Sequence, residues 1–213
     1  MTAPRLVLYG YFRSSCSYRV RLALAIKGVA YESIAVNLLA GEQQSDEHVR
    51  RSPTGYVPCL VVDGRPFVES VAIIELLDEL FPSPPLYPKE PFERARVRAM
   101  VEVVNAGIQP LQNLVVLARV SADPAARKEW GAHHNARGLA SLARMVDERP
   151  RGPFCDGERL SAADLMLVPQ LYSARRFGVD VAAWPRLLAA EAATLALPRI
   201  TEATPEKQPD AAP

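Results

Sequence analysis

Near the N-terminus, three side chains suited to handling a thiolate follow an apolar run. Ser14, Ser15 and Cys16 stand between the segments LVLYGYFR and VRLALAIK. A helix N-terminus offers free N–H groups and a partial positive charge, so it favours anions, including thiolates. A serine there also serves as an ordinary helix cap. The segment therefore predicts either a cap or a thiolate site, with a monothiol role for Cys16 as a third alternative.

Two further segments could bind a peptide-like ligand, one through its backbone and one through a zwitterionic amino-acid end. Val57 precedes Pro58, and a cis bond there would turn the Val57 backbone outward as an edge partner for a peptide-like ligand. Glu69 suits an ammonium group, whereas Ser70 and the N–H groups that follow it suit a carboxylate. Taken singly, these residues are better explained as a loop proline and as a helix cap beside a solvated acid.

The second half of the chain carries amides inside an apolar segment. Asn105 and the run Ile108–Leu114 (IQPLQNL) place them there, and Pro110 predicts a kinked helix. Because buried amides need partners, a domain or dimer interface would satisfy them. The alternative is a polar patch without a ligand. Further on, Ser161 and Asp164 form a capping-box pattern that we interpret as structural.

Hydrophobic periodicity and turn residues predict the order β-α-β-α-β-β-α in the first half. Ser14 or Ser15 caps the first helix and Gly28 ends it, while Ser70 caps the third. The predicted strands are Arg5–Tyr11, Tyr31–Asn37, Cys59–Asp63 and Pro66–Glu69, and the predicted helices run to Lys27, over Gln43–Arg51 and to Phe81.

A proline-rich stretch at residues 83–91 predicts a linker between two domains, residues 1–82 and 92–213. Beyond it no strand pattern is convincing. Helices are expected at about 92–120, 124–148, 161–177 and 184–196, and a disordered tail from about 204.

Composition excludes several functional classes. The chain has 213 residues, 49% hydrophobic and 23% charged, with a formal net charge of +1, so no global field indicates nucleic acid or an anionic membrane. Three scattered cysteines, with no metal-ligand spacing, favour a reducing compartment and no bound metal. No run of 18 apolar residues and no signal-peptide pattern is present, so we expect a cytoplasmic protein.

Four motifs together resemble the zeta class of glutathione transferases, which includes the maleylacetoacetate isomerases. They are SSCSYRVRLAL at Ser14–Leu24, GIQPLQNL at Gly107–Leu114, ADLMLVPQ at Ala163–Gln170 and RRFGVDV at Arg175–Val181. The resemblance covers nearly the whole chain. It implies a thioredoxin-like domain followed by an all-helical domain, glutathione as cofactor, and usually a homodimer.

The resemblance also implies roles for individual residues. Ser14 is the hydroxyl that hydrogen-bonds the glutathione sulfur, and Ser15 and Cys16 line the same site. In the first domain, contacts to glutathione are implied for Gln44 at the glycine end and for Val57, before a cis Pro58, along the peptide backbone. Glu69 and Ser70 would hold the γ-glutamyl end. Further contacts from the helical domain are implied for Gln109, Asn113, Leu114 and Val115. Arg176 would meet a substrate carboxylate, and Arg13 is a second candidate for that role.

The implied activity is glutathione-dependent cis–trans isomerisation of the dicarboxylate maleylacetoacetate to fumarylacetoacetate, a step of tyrosine and phenylalanine catabolism. Maleylpyruvate isomerisation, general conjugation to glutathione and a non-catalytic binding protein of the same fold are the alternatives. Two positions depart from the family pattern. Glu69 replaces the usual glutamine, and Tyr18 replaces the usual tryptophan.

Overall fold

The computed structural model describes residues 4–211. The chain divides into two compact units. Unit 1 comprises the described residues of Met1–Pro84 together with those of Leu197–Pro213, and unit 2 comprises Pro85–Ala196. No helix within residues 4–211 combines the length and apolar character that a membrane-spanning segment requires.

A four-stranded mixed sheet forms the centre of unit 1. Its strands are β1 (Leu6–Gly10), β2 (Glu32–Ala35), β3 (Cys59–Val62) and β4 (Arg65–Val68), in the spatial order β2-β1-β3-β4. The β1–β2 pair is parallel, and the β1–β3 and β3–β4 pairs are antiparallel. The parallel pair requires a crossover, which the first helix supplies. This is the thioredoxin-like arrangement that the resemblance implies.

Three helices complete the order β-α-β-α-β-β-α: α1 (Ser15–Lys27), α2 (Asp46–Arg51) and α3 (Ser70–Leu80). Ser14 caps α1, and Gly28 ends it in the left-handed conformation that favours glycine, with φ 66°. Leu22 and Leu24 of α1 are fully buried, as are Ile73 and Leu77 of α3. The apolar faces of the two helices thus belong to the core of unit 1.

The C-terminal segment differs from the sequence-based expectation. Residues from about 204 read as a disordered tail, yet Pro205–Lys207 form a 3-10 turn. This turn follows an earlier one over Ile200–Ala203, and both belong to unit 1. Ile200 is fully buried, and the first turn packs against α1. Polarity alone suggested disorder; the segment is ordered because other parts of unit 1 supply its partners. Residues 212–213 of the predicted tail lie outside the described residues.

Unit 2 is helical. Its helices are α4 (Pro91–Asn105), α5 (Leu114–Val120), α6 (Pro124–Asp147), α7 (Ala162–Arg176) and α8 (Pro185–Leu195). Glu90 and Asp123 cap α4 and α6, each followed by a proline at the first helical position. Together with unit 1, these helices confirm the predicted fold class, a thioredoxin-like domain followed by a helical one.

The single kinked helix predicted at 92–120 is wrong. The chain leaves α4 after Asn105, forms a 3-10 turn over Gln109–Gln112 and begins α5 at Leu114. Pro110 cannot donate to an α-helical ladder, and Trp130 donates its indole N–H to the Leu111 carbonyl at 2.9 Å. The backbone therefore breaks where the sequence predicted a kink.

The loop before α7 is held by one buried carboxylate. Asp164 accepts hydrogen bonds from the backbone N–H groups of Cys155 and Ser161, both at 2.8 Å, and from the Ser161 hydroxyl at 3.1 Å. This confirms the capping box at Ser161. Burial raises the pKa of Asp164 to about 6, although these hydrogen bonds oppose the shift.

Replacing Asp164 by alanine should destabilise the protein markedly. Two buried backbone N–H groups would lose their acceptor, at about 1–3 kcal/mol each, so we expect a loss of about 2–6 kcal/mol. Urea unfolding measures it. Glu158→Ala removes an exposed carboxylate of the same loop and should change stability by less than about 0.5 kcal/mol. Equal effects of the two substitutions would contradict the capping role.

Candidate active site

The N-terminus of α1 carries the serine–cysteine motif. Ser14 is the N-cap, and its hydroxyl accepts a hydrogen bond from the Ser17 N–H at 3.1 Å. The Ser14 N–H donates to the Tyr11 carbonyl at 3.0 Å, which closes a tight turn before the helix. Ser14, Ser15 and Cys16 are all half-buried. The motif thus lies at a helix N-terminus, where an anion is favoured.

The register of the sheet brings the other predicted segments of unit 1 to the same end of the strands as the Ser14 motif. Cys59 at the start of β3 pairs with Tyr9 near the end of β1 and with Val68 at the end of β4. The residues before Cys59 therefore lie beside those that follow β1 and those that follow β4. In agreement, Val57 packs in one cluster with Tyr11.

Val57 has the backbone that a peptide-like ligand requires. Its bond to Pro58 is cis. Within residues 4–211, neither the N–H nor the C=O of Val57 makes a hydrogen bond, although the residue is only 9% exposed. Buried backbone groups are nearly always paired. Val57 therefore offers a free donor and acceptor at the end of the sheet where β3 begins.

Ser70 is backed by a buried cation. Arg19 of α1 is fully buried and donates from Nη1 to the Ser70 hydroxyl at 3.1 Å. Ser70 is the first residue of α3 and not its cap, which corrects the prediction; Glu69 holds the cap position and makes no capping hydrogen bond. Because the Ser70 oxygen accepts from Arg19, its own proton remains available to an acceptor such as a carboxylate.

Glu69 is exposed and adopts an unusual backbone conformation, with φ 68° and ψ 113°. Few non-glycine residues occupy this region, and the strain concentrates at functional sites. The conformation places the exposed carboxylate directly beside the N-terminus of α3. An acid there suits an ammonium group of a ligand.

Two more predicted residues belong to unit 1. Gln44 ends a 3-10 turn over Glu42–Gln44 and donates to the Gly55 carbonyl at 3.4 Å, so its side chain lies beside the loop that leads to Val57. Arg13 directly precedes Ser14; its guanidinium lies 5.1 Å from the centre of the Phe12 ring and donates to the Tyr11 hydroxyl at 3.2 Å.

The amide-rich segment of unit 2 has mixed roles. Asn113 caps α5 and accepts from the Val115 N–H at 3.1 Å, so its side-chain oxygen serves the backbone. Leu114 and Val115 are 57% and 54% exposed, and Gln109 begins the 3-10 turn half-buried. Unit 2 therefore presents an exposed apolar pair directly after the turn.

A buried cluster of three amides fixes that turn. The Gln112 side-chain oxygen accepts from Asn135 at 2.7 Å and from Gln170 at 3.2 Å, and Gln170 also donates to Asn135 at 2.5 Å. The sequence predicted that buried amides near Gln112 find their partners at a domain or dimer interface. The partners lie instead on α6 and α7 within unit 2.

The two arginines that end α7 differ. Arg175 makes a bidentate ion pair with Glu191 of α8, at 2.6 and 2.5 Å. Arg176 is exposed, and it forms no ion pair within the part of the chain that the structure describes. Arg175 is therefore structural, and the charge of Arg176 is available to a ligand.

The two buried arginines of α1 are site residues for which the sequence alone predicted no role. Arg19 and Arg21 are 0% and 3% exposed, and both bind polar groups of the candidate site. The sequence did contain a signal for their burial, because the two arginines alternate with Val20 and Leu22 inside an apolar helix. Residues 4–211 contain no cluster of three or more His, Cys, Asp or Glu side chains that could hold a metal ion.

Comparison with known proteins agrees with this arrangement. Models described as the glutathione S-transferase N-terminal and C-terminal domains match residues 4–79 and 128–192. A maleylacetoacetate isomerase of Dictyostelium discoideum is 43% identical, covering 100% of this chain and 99% of the relative.

Solved structures agree as well. The maleylacetoacetate isomerase of Anaeromyxobacter dehalogenans with bound GSH superposes with a TM-score of 0.89 at 46% identity, covering 100% of both chains. A bacterial maleyl pyruvate isomerase of the zeta class gives a TM-score of 0.94 at 36% identity, covering 97% of this chain and 100% of that one. The chain therefore belongs to the family of zeta-class glutathione transferases and maleylacetoacetate isomerases.

Proposed function

We propose that this protein is a glutathione-dependent cis–trans isomerase that converts maleylacetoacetate to fumarylacetoacetate. One observation carries the proposal. The edge of unit 1 combines the helix N-terminus at Ser14, the unpaired backbone of Val57 and the Arg19-backed hydroxyl of Ser70. Each of these groups matches a different part of a thiol-bearing, zwitterionic peptide.

The residues of unit 1 fit glutathione group by group. Val57 would pair with its backbone, and Pro58 would hold Val57 in the required orientation. Ser70 and the α3 N-terminus would bind the γ-glutamyl carboxylate, with Glu69 facing the ammonium group. Gln44 would reach the glycine end. When bound, glutathione supplies a thiolate that adds reversibly to a carbon–carbon double bond, which permits rotation without net consumption.

Ser14 and the α1 N-terminus can hold the sulfur as a thiolate without a general base. Lowering a thiol pKa from about 8.5 to about 7 requires roughly 2 kcal/mol. A helix N-terminus contributes about 0.3–1 kcal/mol, and a hydrogen bond to a charged acceptor about 1.5–3 kcal/mol. The Ser14 oxygen accepts from Ser17, so its proton is free to be donated. Ser15 and Cys16 line the same helix turn.

The substrate carries two carboxylates, and two arginines are proposed to bind them. Arg176 has an exposed guanidinium without an ion-pair partner in residues 4–211, and Arg13 adjoins Ser14. Guanidinium groups pair bidentately with carboxylates. Gln109, Asn113, Leu114 and Val115 are proposed to contact the bound ligands from unit 2.

Maleylpyruvate is the second candidate substrate, because a maleyl pyruvate isomerase has the TM-score of 0.94. It undergoes the same chemistry on a smaller diacid. We further propose that the protein acts in the cytoplasm, in tyrosine and phenylalanine catabolism, as a homodimer.

Ser14→Ala should lower turnover at least tenfold while the fold persists. Loss of one transition-state donor often costs about 10²–10³-fold. Steady-state kinetics with glutathione and maleylacetoacetate measures it. Asp123→Ala is the matched control, because it removes a helix cap in unit 2 and should leave turnover unchanged.

Unchanged kinetics in Ser14→Ala would exclude Ser14 as the partner of the sulfur. Cys16→Ala should retain most of the activity. Complete loss in Cys16→Ala would instead favour the monothiol mechanism.

Ser70→Ala should raise the KM for glutathione with less effect on kcat. The contact to the γ-glutamyl end is made equally in the ground state and in the transition state. Ser70→Thr keeps the hydroxyl that Arg19 binds and should stay close to wild type. A defect in kcat alone would contradict the proposed role.

Arg176→Ala should lower kcat/KM for the diacid, which corresponds to an activation free energy raised by roughly 2–4 kcal/mol. It should barely change the affinity for glutathione. The assay follows ultraviolet absorbance with each cis diacid and, separately, conjugation of a neutral electrophile. Arg151→Ala removes another exposed arginine of unit 2 and serves as the control.

Equal losses for the diacid and the neutral electrophile would make Arg176 structural. If the wild type conjugates neutral electrophiles but leaves every cis diacid unchanged, the isomerase proposal is wrong and only the family remains.

A further inference from the structure

The turn that carries Arg13 and Ser14 is connected to the C-terminal segment twice, once directly through Asp210 and once through Arg21 of α1. Asp210 accepts a hydrogen bond from the Phe12 N–H at 2.9 Å. This contact joins residues 198 positions apart in the sequence. The acceptor of the Phe12 backbone thus comes from the opposite end of the chain.

Arg21 makes the second connection. Its guanidinium is 3% exposed and donates to the Phe12 carbonyl at 2.9 Å, to the Tyr11 carbonyl at 3.4 Å and to the Ala203 carbonyl at 2.9 Å. Both backbone polar groups of Phe12 are therefore bound, one by Asp210 and one by a cation that also binds Ala203. The Tyr11 carbonyl in turn accepts from the Ser14 N–H.

The C-terminal segment has hydrogen bonds and buried side chains that hold its own conformation. Gln208 is buried and donates to the carbonyls of Glu202 and Thr204, both at 2.9 Å. Ile200, Ala203 and Pro205 are buried as well. The segment thus has its own internal hydrogen bonds and apolar contacts, and it presents Asp210 to the turn.

We propose that Asp210 is a positioning residue for the glutathione site, which it serves by fixing the Tyr11–Ser14 turn and hence the Ser14 hydroxyl. The inference rests on the proposed role of Ser14. Asp210 itself binds the Phe12 backbone and touches no reacting atom. Its effect must therefore be visible in the free protein as well as in turnover.

The test compares Asp210→Ala and Asp210→Asn with Glu206→Ala. Asparagine keeps a side-chain oxygen that can accept from Phe12. Glu206 is an exposed acid of the same segment that, like Asp210, acts on Arg21 through its charge, but it makes no hydrogen bond to the turn. The control therefore removes a comparable charge and keeps the contact.

Amide hydrogen exchange of the free protein is the first measurement. In Asp210→Ala, exchange in the Phe12–Ser14 region should accelerate about tenfold, as expected when one hydrogen bond is lost. A pH titration of thiolate absorbance in the glutathione complex should show a raised thiol pKa. Turnover should fall about 10–100-fold, because small displacements of a catalytic group have effects of that size, with a smaller change in glutathione KM.

Asp210→Asn and Glu206→Ala should resemble wild type in all three measurements. Equal behaviour of Asp210→Ala and Glu206→Ala would overturn the proposal, as would equal losses in the alanine and asparagine variants. If Asp210→Ala does not fold, Asp210→Ser, whose hydroxyl is too short to reach Phe12, replaces it. Ser14→Ala is measured in parallel. If Asp210→Ala has normal turnover while Ser14→Ala loses turnover, the role of Asp210 is refuted and the proposed role of Ser14 stands.

Discussion

The candidate site in unit 1 depends on α1, because this helix carries two buried guanidinium groups that donate hydrogen bonds to the segments around it. Arg19 binds the Ser70 hydroxyl, and Arg21 binds the carbonyls of Phe12 and Ala203. A buried charge is tolerated only when polar partners surround it. The requirement to satisfy these charges therefore fixes where the first turn of α3, the Ser14 turn and the C-terminal segment lie against α1.

Burial lowers the pKa of Arg21 to about 10, so the guanidinium is still a cation near neutral pH. Tyr18 covers it, with its ring 5.3 Å from the guanidinium carbon. The tyrosine that stands where the resemblance leads one to expect tryptophan thus places an aromatic face over this cation. The other departure, Glu69, keeps its carboxylate exposed at the start of α3.

Local signals sufficed wherever a residue and its partners are close in sequence. The helix from Ser15 to Lys27 was predictable because Ser14 and Gly28 mark its ends, and the capping box at Ser161 because Asp164 is three residues away. The break after Asn105 and the order of the C-terminal segment were not predictable, since their partners lie far along the chain. Site roles came from the resemblance, which assigns residues but not the buried contacts beneath them.

The candidate site therefore has two sets of residues, and only one of them can be recognised from the sequence. Ser14 and Val57 belong to motifs with a readable pattern, whereas Arg19, Arg21 and Asp210 act through hydrogen bonds to backbone or hydroxyl groups of the site. A backbone contact leaves no pattern at the position it supports, because any residue at position 12 other than proline offers the same N–H and C=O. Such supporting residues become visible only when the fold shows which distant segment the backbone meets.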